Sequence, residues 1–329
     1  MENTSCLKRI HILLLAILTL IGCSSPNQTY VRDAIQQMDR KGLYAEGEAW
    51  EAAKKDALSQ DPETLEEAQA IINKAAKVAG GKHSYLLPAD KVQARENRSN
   101  EEVSPSICMR EDGICMIHLP AFAGDDENCL RYAKTILNSI PDTVKGVCID
   151  LRGNHGGNMY PMIAAVHRFL PDDIFLKFKM RRRFQSVMPI NKEFVAKVVG
   201  IDIEPRINCP VAIITDEVTA SSGEAVLLCF RGLDYVRVFG APTAGYASAN
   251  ESIIFYNGSI LALTVSCDIA RTGEVFCEDP IVPDVETDSP EEDAMSWLKD
   301  STRMRTTVTR AAGRAMPKFS LNLSCILQP

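Results

Sequence analysis

The stretch PVAIITDEVTASSGEAVLLCF, residues 210–230, contains two kinds of local structure in succession. Its first part, VAIITDE (211–217), is an apolar run rich in β-branched residues, which is typical of a buried strand. Its second part, AVLLCF (225–230), is an apolar run preceded by Ser221 and Glu224, and the pattern S-x-x-E marks the start of a helix. A buried strand that passes within a few residues into a helix predicts an α/β architecture.

Ser221 admits two interpretations. In the first it caps the helix, and its hydroxyl and the Glu224 carboxylate each bind a backbone amide of the first turn. In the second it is a nucleophile, because a strand, a tight turn and a helix also present a serine at the positive end of a helix dipole. The local sequence fits both interpretations, so the decision depends on the rest of the chain.

The composition indicates an ordered protein with an apolar core. The chain has 329 residues, of which 46% are hydrophobic and 24% charged, and its net charge is −7. Its dense basic run, KFKMRRRF (177–184), is short and interleaved with apolar residues, so we expect an edge strand or an exposed turn. The lack of a broad basic stripe argues against nucleic acid as a partner.

The N-terminus has the pattern of an export signal. Two basic residues precede IHILLLAILTLI (10–21), an apolar run too short to span a bilayer comfortably. The LIGC that follows resembles a bacterial lipobox, whose cysteine, here Cys23, becomes the lipidated N-terminus. We therefore expect a signal peptide over 1–22 and a polar tether over 23–29, the alternative being an uncleaved anchor helix. Either form places the protein at a membrane of the cell envelope, in the periplasm, at the outer membrane or at the cell surface.

The chain has eleven cysteines, of which Cys6 and Cys23 belong to the export signal. The remaining nine include Cys148 and Cys229, which lie in apolar runs and are expected to be buried. Export permits disulfides, so one or two bridges are expected, with their connectivity left open. No C-x-x-C occurs and the cysteines lack the spacing of zinc ligands, so neither a metal nor another cofactor is predicted.

The remaining patterns divide the chain into segments. Apolar residues at helical spacing over 30–79 predict a small helical N-terminal subdomain. The polar segment 89–104 is predicted to be a loop. From SICMREDGICMIHLPAF (106–122), a predicted hairpin with Asp-Gly in its turn, short apolar runs alternate with helical patterns. A helix and a tail of unassigned role are expected over 291–329.

A glycine-rich turn and one histidine are further candidates for chemistry. The turn DLRGNHGGN (150–158) leaves the predicted buried strand VKGVCIDL (144–151), at the place where α/β sheets bind ligands. Its glycines allow backbone amides to point into a site, but it matches no nucleotide-binding motif. A serine nucleophile also needs a base. Among the five histidines, His83 stands at a helix-to-strand junction, whereas His155 lies in the glycine-rich turn itself.

An ordered set of segments resembles the tail-specific, or C-terminal-processing, serine peptidases. These segments are GGKHSYLLP (80–88), IHLPAF (117–122), VKGVCIDLRGNHGGN (144–158), PVAIITDEVTASSGEA (210–225), APTAG (241–245) and EDPIVPDVE (278–286). The resemblance covers residues 80–290 and implies a crotonase- or Clp-protease-like β/α spiral core in that domain. It also implies Ser221 as the nucleophile, with an oxyanion hole formed by the amide of Ser222 and that of Gly156 or Gly157.

The resemblance also bears on the general base. Members with a Ser-Lys dyad carry the lysine where this chain has Tyr246. The tricorn-like branch uses a histidine, matched by His83, and a glutamate, matched by Glu278, but places a serine where this chain has Lys82. The PDZ domain of many relatives is absent, because the segment from Leu86 to Ile107 is too short for a domain.

The sequence thus predicts a lipid-anchored serine endopeptidase that cleaves peptides or unfolded and tail-exposed proteins. It would act through a Ser221 acyl-enzyme, with His83 as general base and Glu278 as the orienting residue. The alternative is a catalytically silent lipoprotein on the same fold that binds a peptide or a hydrophobic ligand. A structural envelope protein with Ser221 as a simple cap would leave the glycine-rich turn unexplained. The oligomeric state is not assigned.

Overall fold

The computed structural model describes residues 25–99, 104–181 and 187–314. The predicted signal peptide (1–22) and the predicted lipidation site Cys23 lie outside these residues. Within the described part of the chain, no helix is both long enough and apolar enough to cross a membrane.

The described residues form two compact units that are not continuous in sequence. The first contains residues 25–96 and 250–266 together with Arg181, and the remaining described residues form the second. This division differs from the predicted domain limits at 79/80 and at 290, because strand residues after 250 pack against the N-terminal helices.

The N-terminal segment of the first unit begins with three helices, and a fourth helix starts shortly before residue 96, where this segment ends. They are α1 (Pro26–Lys41), α2 (Gly47–Ser59), α3 (Leu65–Gly80) and α4 (Ala89–Ser99). The Ser25 hydroxyl accepts a hydrogen bond from the amide of Gln28, so α1 begins inside the segment 23–29 that the sequence predicts as a tether. Thr64 and Glu67 form a capping box at the start of α3.

Helix α4 contradicts the prediction of a loop over 89–104. The amide of Val92 donates to the carbonyl of Pro88 at 3.0 Å, and Asp90 lies in the first turn, where a negative charge favours the helix dipole. The segment has hardly any apolar residues, so it shows no apolar stripe from which a helix could be predicted.

The core of the first unit lies between these helices and antiparallel strands. Strand β1 (Tyr85–Leu87) pairs with the first residues of β10 (Ile260–Ala270), and β9 (Ser248–Ile254) also pairs with β10. The fully buried Tyr30 meets Phe255 edge-to-face at 5.0 Å, and the buried Trp50 donates to Asp39 Oδ1 at 2.8 Å. Other members of this core include Val31, Met38, Ile72, Leu86, Leu261 and Leu263.

The second unit is built on a six-stranded sheet. Its strands are β2 (Ser106–Met109), β3 (Ile114–His118), β4 (Gly146–Asp150), β7 (Val211–Thr215), β8 (Val236–Gly240) and β12 (Val285–Glu286), in the spatial order β12-β8-β7-β4-β3-β2. All neighbours are parallel except the β2–β3 hairpin. The predicted hairpin and the two predicted buried strands are confirmed, and all residues of β4 and β7 are buried.

Helices flank this sheet and supply its apolar cover. They are α5 (Asp126–Leu137), α6 (Met159–Val166), α7 (Lys192–Val199), α8 (Ser222–Phe230) and α9 (Pro290–Arg314). In the parallel register Asp150 of β4 is the partner of Ile214 of β7. The turns that follow β4 and β7 therefore leave the same edge of the sheet, so the glycine-rich turn and the Ser221 turn emerge side by side.

The basic run 177–184 falls partly in a strand. Strand β5 (Leu176–Met180) pairs antiparallel with β6 (Val187–Ile190). Arg181 is not a solvated surface cation, since its guanidinium donates to the backbone carbonyls of Asp39, Gly42 and Ala45. This arginine thus anchors the chain that follows α1.

The cysteines are mostly structural. Cys148 and Cys229 are fully buried, as predicted, and burial raises the pKa of the Cys148 thiol to about 12. Cys267 forms a disulfide with Cys277, which joins β10 to the short strand β11 (Val275–Phe276). Buried thiols of raised pKa are poor nucleophiles, so Cys148 and Cys229 serve as core residues.

Asp268, beside this disulfide, carries a stability cost that depends on pH. Its side chain is 2% exposed, Oδ1 has no hydrogen-bond partner, and burial followed by the charge of Glu224 raises its pKa well above the ordinary 3.8. The native state therefore keeps a proton that the unfolded chain loses above pH 3.8, and stability falls as pH rises through this range.

We expect the free energy of unfolding of Asp268→Asn, relative to that of the parent chain, to rise with pH above pH 3.8. The rise is up to about 1.4 kcal/mol per pH unit and ends where the raised native pKa of Asp268 is reached. Urea unfolding at pH 4, 5, 6 and 7 measures this difference, with the exposed Asp234→Asn as control. A gap between Asp268→Asn and the parent that is the same at every pH would contradict the prediction.

Candidate active site

The turn between β7 and α8 is held by Asp216 and Thr219. Asp216 Oδ1 accepts hydrogen bonds from the amides of Val218 (3.1 Å) and Thr219 (2.8 Å). The Thr219 hydroxyl donates to the carbonyl of Leu151 at 2.9 Å, at the end of β4. These bonds connect the Ser221 turn to the neighbouring strand and fix where it emerges.

Ser221 has a strained backbone. Its φ is +52° and its ψ is −114°, and it is the only non-glycine residue in the described part of the chain with a positive φ. Such conformations cost of order 1–3 kcal/mol and are concentrated at functional sites. A simple helix cap uses ordinary extended angles, whereas a strained strand-to-helix serine is the hallmark of a nucleophile elbow.

The Glu224 carboxylate holds the strained turn. Its Oε2 accepts from the amides of Ser221 and Tyr246, both at 2.8 Å. Its Oε1 accepts from the Thr243 hydroxyl at 2.5 Å and the Gly245 amide at 2.9 Å. The capping interaction predicted for Glu224 is therefore one of four that it makes, and the other three bind the segment 243–246.

Burial and hydrogen bonding act on Glu224 in opposite directions. Burial is the larger effect and raises the pKa of this fully buried carboxyl above its ordinary value, while the hydrogen bonds from Thr243, Tyr246, Ser221 and Gly245 oppose the rise. An ionised carboxylate accepts all four donors at once, whereas a protonated one would turn a proton toward one of them. The geometry thus fits a buried anion whose charge is stabilised by four neutral hydrogen-bond donors.

Asn154 joins the glycine-rich turn to the Ser221 turn. Its carbonyl accepts from the amide of Ala220 at 2.9 Å, and its side-chain Oδ1 accepts from the amide of Gly156 at 3.0 Å. Its Nδ2 donates to the carbonyl of Leu119. The residue is fully buried, so it fixes the spacing between the two turns.

The two glycines of the predicted oxyanion hole have different surroundings. A Cβ on Gly156 would lie 2.8 Å from Ser221 Cβ, so this glycine allows the turn to approach the serine. A Cβ on Gly157 would lie 1.9 Å from the carbonyl oxygen of Phe122. The Gly156 amide is bound to Asn154, whereas the amides of Gly157 and Ser222 donate no hydrogen bond within the described residues. The geometry therefore favours Gly157 over Gly156 as a donor to a ligand.

Ser222 adds a link between the turns and begins α8. Its hydroxyl donates to the carbonyl of Gly157 at 2.8 Å. Its amide is the first of the helix, where the dipole is positive and attracts a developing negative charge. Free amides at Gly157 and Ser222 beside a strained serine are the donors that an acyl-transfer intermediate requires.

The predicted site residues do not all belong to one unit. Ser221, Ser222, Gly156, Gly157 and Glu278 are in the second unit, whereas His83 is in the first. Glu278 is half-buried, and its carbonyl oxygen packs against Gly245. The structure thus brings Ser221, Ser222, Gly156 and Gly157 together, and the pairing of Ser221 with His83 stays a prediction.

His83 lies in the turn between α3 and β1, and its backbone is fixed. Its carbonyl oxygen accepts from Asn250 Nδ2 at 3.0 Å. The next residue, Ser84, is fully buried and bonds both the amide and the hydroxyl of Thr264. Ser84 therefore has a structural role, while His83 itself is half-buried.

Three residues of the site were missed by the sequence analysis. Asn154 could have been noticed as the Asn of D-L-R-G-N, and Asp216 as the Asp that ends a strand before a turn. Thr243 was noted only as a motif position, although its hydroxyl binds Glu224 and accepts from the amide of Ile281. In the described residues no cluster of His, Cys, Asp and Glu side chains is arranged to hold a metal ion.

Comparison with known proteins places the chain in a family. A sequence model of Peptidase family S41 matches residues 113–287, which is slightly more than half of the chain. The chain belongs to peptidase family S41. The matched region contains Ser221, the glycine-rich turn and Glu278, while His83 lies before it. The predicted resemblance to the tail-specific peptidases is thereby confirmed.

Two known proteins are similar to this chain in sequence. The "Nisin-resistance protein" of Lactococcus lactis subsp. lactis is 30% identical over 279 residues, which is 83% of this chain and 87% of that protein. The "Carboxy-terminal processing protease CtpA" of Bacillus subtilis (strain 168) is 22% identical over 192 residues, which is 58% of this chain and 38% of that protein.

Solved structures share the fold. A lipoprotein from Streptococcus agalactiae superposes with a TM-score of 0.75 at 30% identity, over 83% of this chain and 96% of that one. The photosystem II D1 C-terminal processing protease superposes with a TM-score of 0.57 at 12% identity, over 80% of this chain and 94% of that one. The α/β fold predicted for the S41 family member is confirmed.

We expect Glu224→Gln to destabilise the protein by about 3 kcal/mol, because an amide turns a donor toward groups that are themselves donors. Urea unfolding at neutral pH measures the loss. The exposed neighbour Glu217→Gln is the matched control and should change stability by less than about 0.5 kcal/mol. Equal stability of the two variants would show that the Glu224 charge is not needed.

We expect Gly157→Ala to be far more damaging than Gly153→Ala. Both glycines have positive φ, but a Cβ on Gly153 meets nothing within 4 Å, whereas one on Gly157 overlaps the Phe122 carbonyl. Gly153→Ala should therefore cost about 1 kcal/mol from backbone strain alone. Thermal unfolding compares the two, and similar melting temperatures would mean that the turn relaxes away from Phe122.

Proposed function

We propose that the protein is a serine peptidase that uses Ser221 as its nucleophile. The observation that carries this proposal is the strained backbone of Ser221 at the start of α8, with φ of +52°. A residue whose task is only to cap a helix has no need of this conformation, and strain of this kind persists only where surrounding bonds impose it. Here Glu224 imposes it through the Ser221 amide.

In the proposed mechanism, His83 accepts the proton of the Ser221 hydroxyl as its oxygen attacks the substrate carbonyl. The amides of Gly157 and Ser222 stabilise the oxyanion of the tetrahedral intermediate. His83 then gives its proton to the leaving amine, and a water molecule activated by the same imidazole hydrolyses the acyl-enzyme. Glu278 orients these catalytic groups.

The proposed substrate is a peptide or an unfolded or tail-exposed protein, met in the cell envelope. The family supports peptide-bond substrates. A cell-envelope location is supported by two relatives, one named for nisin resistance and the other described as a lipoprotein. We propose that the chain is held there by a lipid on Cys23.

A second candidate function is a silent binding lipoprotein on the same fold. Two sequence positions favour it: Tyr246 stands where relatives with a dyad have lysine, and Lys82 stands where the tricorn-like branch has serine. In that case the strained serine would be a remnant of catalysis, and the site would retain a peptide or a hydrophobic ligand without turnover.

Labelling of the full chain with a fluorophosphonate, followed by peptide mapping, separates the two functions. We expect an adduct on Ser221, which is lost in Ser221→Ala and formed at least about 1,000-fold more slowly in His83→Ala. The exposed Ser296→Ala and His118→Ala serve as matched controls and should label normally. Absence of the adduct in a folded sample would favour the silent binder.

His155→Ala tests the choice of base within the same experiment. His155 is exposed in the glycine-rich turn next to Gly156, so it is the rival histidine nearest in sequence to the site. Normal labelling of His155→Ala together with slow labelling of His83→Ala would assign the base to His83. The reverse result would overturn that assignment while leaving Ser221 as the nucleophile.

A further inference from the structure

The disulfide Cys267–Cys277 lies directly before a segment that packs on the candidate site. It closes the hairpin of β10 and β11, in which Asp268 pairs with Phe276 and Ile269 with Val275. Cys277 is followed at once by Glu278. The disulfide therefore fixes the position in space of the first residue of the segment 278–281.

That segment contacts the loop 243–245 through backbone atoms. A Cβ on Gly245 would lie 2.7 Å from the carbonyl oxygen of Glu278 and 2.8 Å from the nitrogen of Pro280. The amide of Thr243 donates to the carbonyl of Ile281 at 3.1 Å, and the amide of Ile281 donates to the Thr243 hydroxyl at 2.8 Å. Such close backbone contacts leave little freedom for one segment to move without the other.

The loop 243–245 in turn holds Glu224. The hydroxyl of Thr243 and the amide of Gly245 both donate to Glu224 Oε1, and the opposite oxygen accepts from the Ser221 amide. A continuous series of contacts thus runs from the disulfide to the strained serine. Every member of the series belongs to the second unit.

A buried carboxyl group favours opening of the hairpin that the disulfide closes. Asp268 is buried in it with Oδ1 unpartnered. A buried polar group without a hydrogen bond is unfavourable, and opening the hairpin would return this carboxyl to water. Two residue pairs form the β10–β11 ladder in the described structure, and the amides of Ala270 and Gly273 add one backbone bond each at the turn, so few backbone bonds support the hairpin.

We propose that Cys267 and Cys277 are positioning residues, whose disulfide holds the segment 278–281 on the loop 243–245 and thereby maintains the Glu224–Ser221 geometry. A dithiol reductant would release this hold. The S–S bond breaks, each cysteine gains a hydrogen, and the dithiol is oxidised to its cyclic disulfide. The site would then be active in an oxidising compartment and weakened by thiols, an inference that rests on the proposed function for its kinetic part.

Hydrogen exchange of the full chain, followed by mass spectrometry, tests the structural part without any need for activity. Reduction with dithiothreitol should speed exchange in peptides that cover 243–246 and 278–281 by about 10-fold or more, while β4 (146–150) stays unchanged. The double variant Cys267→Ser/Cys277→Ser should show the fast rates from the start and no response to dithiothreitol. Cys108→Ser, which removes an exposed thiol elsewhere, should respond like the parent chain.

Fluorophosphonate labelling of the same samples tests the kinetic part. We expect labelling of Ser221 to slow about 10-fold on reduction in the parent and in Cys108→Ser, and to be slow and unresponsive in the double variant. Faster local exchange with no labelling in either redox state would support the positioning role and refute the proposed peptidase. Unchanged exchange, or a uniform increase that includes β4, would overturn the proposal, because the disulfide would then have no local effect on the site.

Discussion

The buried carboxylate of Glu224 is the interaction on which the site depends. A single side chain joins three parts of the chain that are far apart in sequence: the Ser221 turn, the loop 243–246 and, through Thr243, the segment that ends at Ile281. A neutral side chain of the same shape has both a donor and an acceptor end and could not satisfy four donors. The negative charge is therefore what allows the strained serine to persist in an apolar surrounding, because the donors replace the water that burial removes.

The parallel sheet provides the second constraint. Because β4 and β7 are neighbours in register, their turns leave the same edge, and Asn154 can then bridge them through its backbone carbonyl, while its side chain holds the glycine-rich turn at Gly156. Tight approach requires glycine at 156, where a side chain would overlap Ser221. The site is thus composed mainly of backbone amides and carbonyls placed by a rigid scaffold, which is the arrangement that gives the least reorganisation when charge develops.

Much of the fold around the site could be predicted from the sequence, because it depends on residues that are close together in the chain. The apolar runs of β4 and β7, the Asp-Gly hairpin turn and the helix that follows Ser221 depend on neighbouring residues alone, and the structure confirms them. Helix α4 was missed because its polar residues carry no periodic signal. The wider role of Glu224, the bonds of Arg181 and the pairing of Cys267 with Cys277 depend on contacts between distant segments, which spacing along the chain does not reveal.

The first unit assembles from both ends of a long stretch of chain, and this affects when it can fold. Ser84 meets Thr264 across a sequence separation of 180 residues, and Tyr30 meets Ser259 across 229. During synthesis the helices α1 to α3 emerge long before the strand residues that complete their core. Because contacts of such long range are slow to form, the N-terminal helices remain without a finished core until most of the second unit has been made. Late completion of this kind keeps the nascent chain open, the condition in which a polypeptide can still be threaded through a narrow pore.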